Sequence, residues 1–138
     1  ILNRRIISPP LFDEINAGKN YQVFEVNPYL RIIEPEISVI GRKVVAKFKL
    51  EQVTSNEVYR ISLFAHSHID VSNKLNIVNR TEELNRSITD GEAFELSINL
   101  EDYTSTLVPG KSYYFRIGAQ SHGSETKYNY SASVQLDI

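Results

Sequence analysis

Two histidines two positions apart are the side chains in this chain best suited to holding a metal ion. His66 and His68 end a segment of alternating apolar residues, and side chains two apart on a strand point to the same face. A zinc site needs further ligands, and His122 and Asp70 have side chains that could supply them. In an antiparallel sandwich, the strand ending at His66 finishes at the opposite pole from the loop bearing His122. We therefore predict two surface imidazoles, with no metal and no cofactor.

The spacing of acidic and serine residues does not favour catalysis. A glycosidase needs two carboxyl groups about 5–10 Å apart across a substrate cleft, whereas each acidic pair here flanks a loop or a strand end. These pairs are Glu34/Glu36, Glu82/Glu83 and Glu101/Asp102. Ser121 and His122 are merely adjacent, and no Gly-x-Ser-x-Gly turn is present to expose a nucleophile. We predict that the chain is not an enzyme.

Tyrosine is the residue type best suited to ligand binding, and the chain has eight. An exposed tyrosine ring can stack on the apolar face of a sugar while its hydroxyl forms hydrogen bonds. Tyr114, Arg116 and Gln120 alternate outward on one predicted strand, and Tyr103 lies in a predicted loop. We predict that these four residues contact a glycan or a protein partner. The alternative is ordinary cross-strand pairing on a solvated sheet, with Arg116 stacked over Tyr114 or the neighbours of Tyr59.

Strict alternation of apolar and polar residues predicts the strands that position these side chains. Residues 43–50 place four apolar side chains on one face and three lysines on the other. The pattern recurs at 58–66, 93–100, 113–119 and 128–136, with shorter strands expected at 29–33, 75–79 and 84–89. In the last long segment, Tyr128 and Tyr130 are expected to face inward together with Leu136. Asp90 and Gly91 predict a hairpin turn, because glycine tolerates positive φ.

A more specific pattern surrounds Tyr113, the first inward residue of the predicted sixth strand. Leu107, Pro109 and Gly110 precede it, an order typical of the tyrosine corner, in which the phenol bonds back to upstream backbone. Pro109 and Gly110 shape the turn, and Leu107 is expected to fill the end of the core. We predict an all-β fold: an antiparallel Greek-key β-sandwich of the immunoglobulin or fibronectin type III kind, with seven to eight strands.

Composition excludes several classes of partner. The 138 residues carry 15 lysines and arginines against 17 acidic residues, so the basic stripe that nucleic-acid binding requires is missing. The absence of cysteine removes disulfides and thiolate metal sites. No apolar run reaches the roughly 18 residues of a membrane helix. We predict no nucleic-acid partner and no transmembrane segment.

Four motifs in order resemble the C-terminal immunoglobulin-like domain of a family of surface lipoproteins, of unknown function, from gut-type Gram-negative bacteria. The motifs are residues 23–32, 45–48, 113–119 and 127–131. The resemblance implies an association with polysaccharide-utilisation clusters and outer-membrane glycan importers. It implies that residues 1–26 are an extension or the tail of a carboxypeptidase-regulatory-like domain, and that residues 27–138 form the sandwich. It also implies an outer-membrane, cell-surface location, with contact to the membrane only through a lost N-terminal lipid anchor.

Two functions follow from the residues and the resemblance together. We expect a non-catalytic module accessory to polysaccharide binding or uptake, which contacts a glycan or docks on a glycan-import complex. The alternative is a structural spacer or adhesion domain with no ligand of its own. Both functions are compatible with one fold, because a sandwich does not by itself determine a function.

Overall fold

Alternating hydropathy produces eight strands in the computed structural model, which describes residues 30–53, 55–123 and 128–138. The strands are β1 (Leu30–Ile40), β2 (Lys43–Gln52), β3 (Val58–His66), β4 (Val78–Arg86), β5 (Glu92–Asn99), β6 (Ser112–Ser121), β7 (Asn129–Tyr130) and β8 (Val134–Asp137). A single 3₁₀ turn, Leu100–Tyr103, follows β5. The predicted all-β fold is confirmed for the described residues. The predicted domain boundary between residues 26 and 27 lies outside them.

The strands form two antiparallel sheets that pack face to face. The smaller sheet has the order β1-β2-β5, and the larger has the order β4-β3-β6-β7, with β8 also paired to β6. The fourth strand therefore pairs with the third strand, whereas in the constant-type immunoglobulin fold it joins the first, second and fifth. Of the two sandwich kinds that the sequence left open, the structure departs from the constant immunoglobulin arrangement.

The inward residues of both sheets form one continuous core, as the alternation predicted. Burial of this apolar surface is the main favourable term in folding. The fully or almost fully buried members from the longer strands are Val44, Ala46, Phe48, Leu50, Ile61, Leu63, Ala65, Leu96, Ile98, Phe115, Ile117 and Ala119. None of the described residues forms a helix long and apolar enough to span a bilayer.

The turn before β6 has the hydrogen bond of a tyrosine corner. The Val108 N–H group donates to the Tyr113 hydroxyl at 2.9 Å. Leu107 is completely buried at the end of the core, while Pro109 is exposed. Gly110 has a φ of 88°, a left-handed conformation that glycine adopts without steric cost. These contacts fix the start of β6, the central strand of the larger sheet.

Three local predictions were wrong. Asp90 and Gly91 form a turn, but it joins β4 to β5 across the two sheets, so no hairpin forms there. The two short strands expected at 75–79 and 84–89 are replaced by the single strand β4. The last strand is interrupted at residues 131–133 and divides into β7 and β8.

Candidate functional site

The outer face of the larger sheet carries a cluster of aromatic rings and guanidinium groups. Its members are Arg60, Phe64, Arg116, Tyr128 and Tyr130, which we call the sheet-face cluster. The first two belong to β3 and point away from the core, because the residues between and beside them, such as Ile61 and Ala65, are in the core. The register places the β3, β6 and β7 members next to one another.

Three rings of the cluster converge over Gly118. The ring centroids of Phe64 and Tyr128 lie 5.7 Å apart. Those of Tyr128 and Tyr130 also lie 5.7 Å apart, and the planes of these two tyrosine rings are inclined by 19° to each other. A Cβ atom on Gly118 would stand 2.8 Å from Phe64 Cε2 and 3.0 Å from Tyr128 Cδ2, closer than side chains pack. Glycine is therefore the residue that lets these rings meet on the sheet.

Arg116 is held from three sides. Its Nε–H group donates to the Ser131 carbonyl at 2.7 Å, and Nη1 donates to the Val71 carbonyl at 3.3 Å. The guanidinium carbon lies 4.6 Å from the centroid of the Tyr130 ring, within the range of a cation–π interaction. Partial burial lowers the pKa of Arg116, since desolvation disfavours the charged form. Arg116 links the sheet to the β3–β4 loop.

Tyr130 is fixed by the same loop. Its hydroxyl donates to Asn73 Oδ1 at 2.6 Å and accepts from the Asn73 N–H group at 3.1 Å. Burial raises the pKa of Tyr130, because the phenolate would lose solvation. The hydrogen bond from the Asn73 N–H group and the charge of Arg116 act in the opposite direction but are smaller effects. The ring is thus held in one orientation before any ligand arrives.

Arg60 lies between two tyrosine rings. Its guanidinium carbon is 4.4 Å from the Tyr59 centroid and 5.9 Å from the Tyr128 centroid. The Arg60 Nε–H group donates to Gln120 Oε1 at 3.0 Å. Gln120 is only 2% exposed, so it cannot offer much surface to a ligand. Its geometric role is to orient Arg60.

The four predicted contact residues separate in the structure. Arg116 and Gln120 belong to the cluster or support it, but Arg116 stacks over Tyr130 and not over Tyr114. Tyr114 is half-buried on the same face, opposite His66 and Gln135 in the register. Tyr103 is 36% exposed and ends the 3₁₀ turn between the sheets, outside the cluster. Whether any of them contacts a ligand remains a prediction.

Sequence reasoning missed Tyr128, which lies just before β7, and Tyr130 of β7 as cluster members. They were expected to face the core with Leu136, but the break at residues 131–133 reverses the alternation, so Val134 and Leu136 pack on the core while Tyr128 and Tyr130 contact Phe64 on the opposite face. The small residues of the Ser-Ala-Ser segment are the sequence signal for this irregularity. Arg60 had no comparable signal, since its partners come from other strands.

The histidines make local contacts. His66 Nδ1 accepts from the His68 N–H group at 3.0 Å, and His68 Nδ1 accepts from the Asp70 N–H group at 3.1 Å. His122 lies at the other end of the sheet, where Nε2 is 2.7 Å from Asn85 Oδ1. In the described part of the chain, no three histidine or acidic side chains come together as metal ligands.

The acidic pairs lie on exposed surfaces. Glu34 Oε1 forms an ion pair with Lys49 Nζ at 3.1 Å, beside Glu36 on the outer face of the smaller sheet. Glu82 and Glu83 are consecutive on the edge strand β4 and so point to opposite faces. The third pair occupies the exposed first turn of the 3₁₀ segment.

Comparisons with known proteins identify one family and several solved structures that are similar to this chain. Residues 30–135 match the family described as domain of unknown function (DUF3823_C). The structure is similar to a candidate carbohydrate-binding protein from Bacteroides uniformis, with 27% identity and a TM-score of 0.75, covering 92% of this chain and 62% of that one. It also resembles a DUF3823 family protein from Parabacteroides merdae, with 22% identity and a TM-score of 0.69, covering 90% and 58% of the two chains.

More distant similarity indicates only the shared fold. OgpA from Akkermansia muciniphila has 11% identity and a TM-score of 0.58, covering 84% of this chain and 29% of that one. Among curated proteins, none matches the sequence. The chain spans about 62% of the length of the first structural relative.

Proposed function

Since this chain belongs to the DUF3823_C family, a domain family of unknown function, we propose that it is a non-catalytic module that binds a glycan on the sheet-face cluster. The observation that carries the proposal is the pair of half-buried rings of Tyr128 and Tyr130, which lie 5.7 Å apart, pack on the buried Phe64 ring over Gly118 and have a guanidinium group on either side. Aromatic rings supply apolar area for the C–H groups of a sugar, and hydroxyls and guanidinium groups supply hydrogen bonds to its oxygens. The candidate carbohydrate-binding relative from Bacteroides uniformis supports this ligand class.

The cluster is pre-organised, which lowers the entropic cost of binding. Tyr130 and Arg116 are already fixed by hydrogen bonds to the β3–β4 loop and to Ser131. Immobilising a flexible side chain on binding costs about 0.5–1.5 kcal/mol, and side chains that are already ordered avoid most of that cost. A shallow, rigid sheet face of this kind suits an extended polysaccharide more than a small molecule that must be enclosed.

The wider proposal concerns the place of the module. The resemblance of the sequence motifs to surface lipoproteins of gut bacteria supports an accessory role in polysaccharide uptake at the outer membrane, with docking on a glycan-import complex. In that role, a lipid anchor outside the described residues would tether the protein, and the sandwich would present its larger sheet to the glycan.

We expect Tyr128→Ala to weaken glycan binding by about fivefold, since one aromatic contact contributes roughly 1 kcal/mol and 1.4 kcal/mol is a factor of ten. Affinity electrophoresis of the whole chain against a panel of plant and host polysaccharides would find the ligand, and calorimetry would give its Kd. Tyr128 is chosen because, unlike Tyr130, its hydroxyl has no bond to the β3–β4 loop among the described residues.

Tyr103→Ala is the matched control, because it removes an exposed tyrosine ring outside the cluster. It should bind as the unaltered chain does. Loss of binding in Tyr103→Ala but not in Tyr128→Ala would move the site away from the sheet face. Absence of binding to every polysaccharide would overturn the proposal, provided that circular dichroism shows a folded protein.

A structural spacer is the second candidate, and one observation favours it. The groups of the cluster contact one another and the β3–β4 loop, as the Arg116 bonds to Ser131 and Val71 show, so the cluster also stiffens the sheet. A spacer predicts that Tyr128→Ala lowers the melting temperature and that neither form binds a glycan.

A further inference from the structure

The two arginines of the sheet-face cluster have different surroundings. Arg116 donates to two backbone carbonyls, from Ser131 and Val71, and is half-buried. Its guanidinium group is thus used within the fold. Arg60 donates through Nε to Gln120, and within the part of the chain that the structure describes its two terminal amino groups have no hydrogen-bond acceptor. Nor do the ion pairs among those residues include Arg60.

The geometry of Arg60 leaves one edge of the guanidinium group available. A guanidinium group offers five N–H donors in a planar fork. Gln120 takes the Nε donor, which leaves the end formed by Nη1 and Nη2. That end matches the two oxygens of a carboxylate or a sulfate, which accept a pair of parallel hydrogen bonds. Because Gln120 is buried and Tyr59 and Tyr128 flank the guanidinium group, the fork is held in one orientation.

Glu83, Tyr59, His122 and Arg116 are among the charged and titratable groups near Arg60 in the described part of the chain. Glu83 is its partner in the register with β4, and the Glu83 carboxylate accepts from the Tyr59 hydroxyl at 3.5 Å, the outer limit of a hydrogen bond. The His122 ring lies beside the Tyr59 ring, with centroids 4.6 Å apart. Arg116 adds a second positive charge on the same face. Among the described residues, a ligand at the cluster therefore meets two guanidinium groups, with Glu83 opposite Arg60 and with Asp70 near enough to Arg116 to raise its pKa.

We propose that the glycan bound by the sheet-face cluster is acidic, and that Arg60, positioned by Gln120, receives its carboxylate or sulfate group. This proposal rests on the proposed glycan-binding function. It identifies Arg60 as the specificity-determining residue, and it assigns Gln120 the role of a positioning residue and not of a contact residue.

The experiment compares pairs of polysaccharides that differ only in charge, using the whole chain. Polygalacturonate is paired with its methyl ester, and a sulfated galactan with its desulfated form. We expect at least one acidic member to bind about tenfold more tightly than its neutral partner, the size of one charge-assisted hydrogen-bonded pair. The first pair tests carboxylate and the second tests sulfate as the source of the charge.

Variants then assign the preference to Arg60. Arg60→Gln should reduce the affinity for the acidic member to that for the neutral member, whose own affinity should fall less. Arg60→Lys should restore only part of the preference, because an ammonium group lacks the fork. Gln120→Leu should reduce the preference with Arg60 still present. Glu83→Gln should strengthen binding of the acidic member alone, because it removes a negative charge that repels the carboxylate or sulfate group of the glycan. Thermal unfolding of each variant identifies any loss of fold.

The outcomes distinguish the two proposals. If acidic and neutral members bind equally and Arg60→Gln leaves them equal, the proposal of an acidic ligand is overturned, while the proposal of glycan binding stands. If Arg60→Gln loses the preference for the acidic member and Arg60→Lys regains part of it, the proposal that Arg60 receives the acidic group is supported. No binding of any acidic or neutral polysaccharide would overturn the glycan function itself.

Discussion

At Tyr113, the phenol oxygen accepts a hydrogen bond from the Val108 N–H group, whereas at Tyr130 it bonds with the Asn73 side chain and backbone. The ring of Tyr113 is part of the core, and the ring of Tyr130 belongs to the sheet-face cluster. The same residue type therefore serves folding at one position and surface chemistry at the other. What separates the two roles is which face of the larger sheet the side chain occupies.

Tyr113→Phe tests the structural role of the first hydroxyl. The substitution keeps the buried ring but leaves the Val108 N–H group without its acceptor, and an unsatisfied, partly buried donor costs about 1–2 kcal/mol. We expect the free energy of unfolding to fall by that amount in urea denaturation. Tyr103→Phe is the control, because its ring is exposed, and it should change stability little. Equal stability of Tyr113→Phe and the unaltered chain would show that the corner bond contributes nothing.

At the scale of the element, the interruption between β7 and β8 decides what the larger sheet presents to solvent. Ser131 replaces part of the regular strand pairing: its Oγ accepts from the Ile117 N–H group at 3.1 Å, and its own N–H group donates to the Ile117 carbonyl at 3.0 Å. The irregularity directs the Ser131 carbonyl toward Arg116. A bulge of this kind re-aims side chains without ending the sheet.

Ser131→Ala should weaken this junction. The buried Ile117 N–H group loses its acceptor, and we expect a loss of about 1–3 kcal/mol in stability. Hydrogen exchange of the Ile117 amide should become faster. Ser133→Ala is the control, because it also removes a serine hydroxyl from the segment 131–133 but leaves the Ser131 hydroxyl in place. If both variants had equal stability and equal exchange, the serine at 131 would not be needed for the interruption.

At the scale of the whole molecule, the two sheets give the protein two different outer faces. The smaller sheet presents lysines and glutamates, with the pair of Lys49 and Glu34 as an example. The larger sheet presents the aromatic and arginine cluster. Leu30, the first described residue, lies at the pole where β2 ends and β3 begins, and the β3–β4 loop that fixes Tyr130 and Arg116 lies at the opposite pole. The sheet-face cluster, which we propose binds the glycan, thus lies along the side of the sandwich and contacts the β3–β4 loop at one pole.

The stability of the molecule should depend on pH at the alkaline end. Because burial raises the pKa of Tyr130 above its usual value of about 10, the folded state keeps the phenolic proton more tightly than the unfolded state does. The stabilisation is fully present below about pH 10 and is lost as pH rises through the folded-state pKa. Urea midpoints measured from pH 8 to 11.5 should fall over this window.

Tyr130→Phe isolates this contribution. The variant loses the bonds to Asn73, so it should be less stable at neutral pH, but its decline with rising pH should be shallower. Ultraviolet titration of the unaltered chain should show one tyrosine that ionises later than exposed tyrosines do, and this step should be absent from the variant. An unchanged alkaline slope in Tyr130→Phe would contradict the assignment.

The two-residue alternation, with little helical periodicity beside it, determined the sandwich, because a sheet without helices to cover it buries its apolar face against another sheet. Leu96, Ile98, Phe115 and Ile117 were placed in the core on that basis, and they are buried there. The order of Leu107, Pro109 and Tyr113 indicated the corner because its hydrogen bond is local, spanning five residues from Val108 to Tyr113.

Only the tertiary structure decided the sheet-face cluster. Its contacts join residues far apart in the chain, such as Arg60 to Gln120 and Phe64 to Tyr128, and they depend on strand register, on the space above Gly118 and on the change of face at Ser131. Alternation carries no information about which outward residues become neighbours across strands. The register of β7 and β8 on β6 differs by one residue, so the side chains before the interruption and those after it lie on opposite faces. Val134 and Leu136 therefore pack on the core, while Tyr128 and Tyr130, predicted for the core, lie on the surface that we propose binds the glycan.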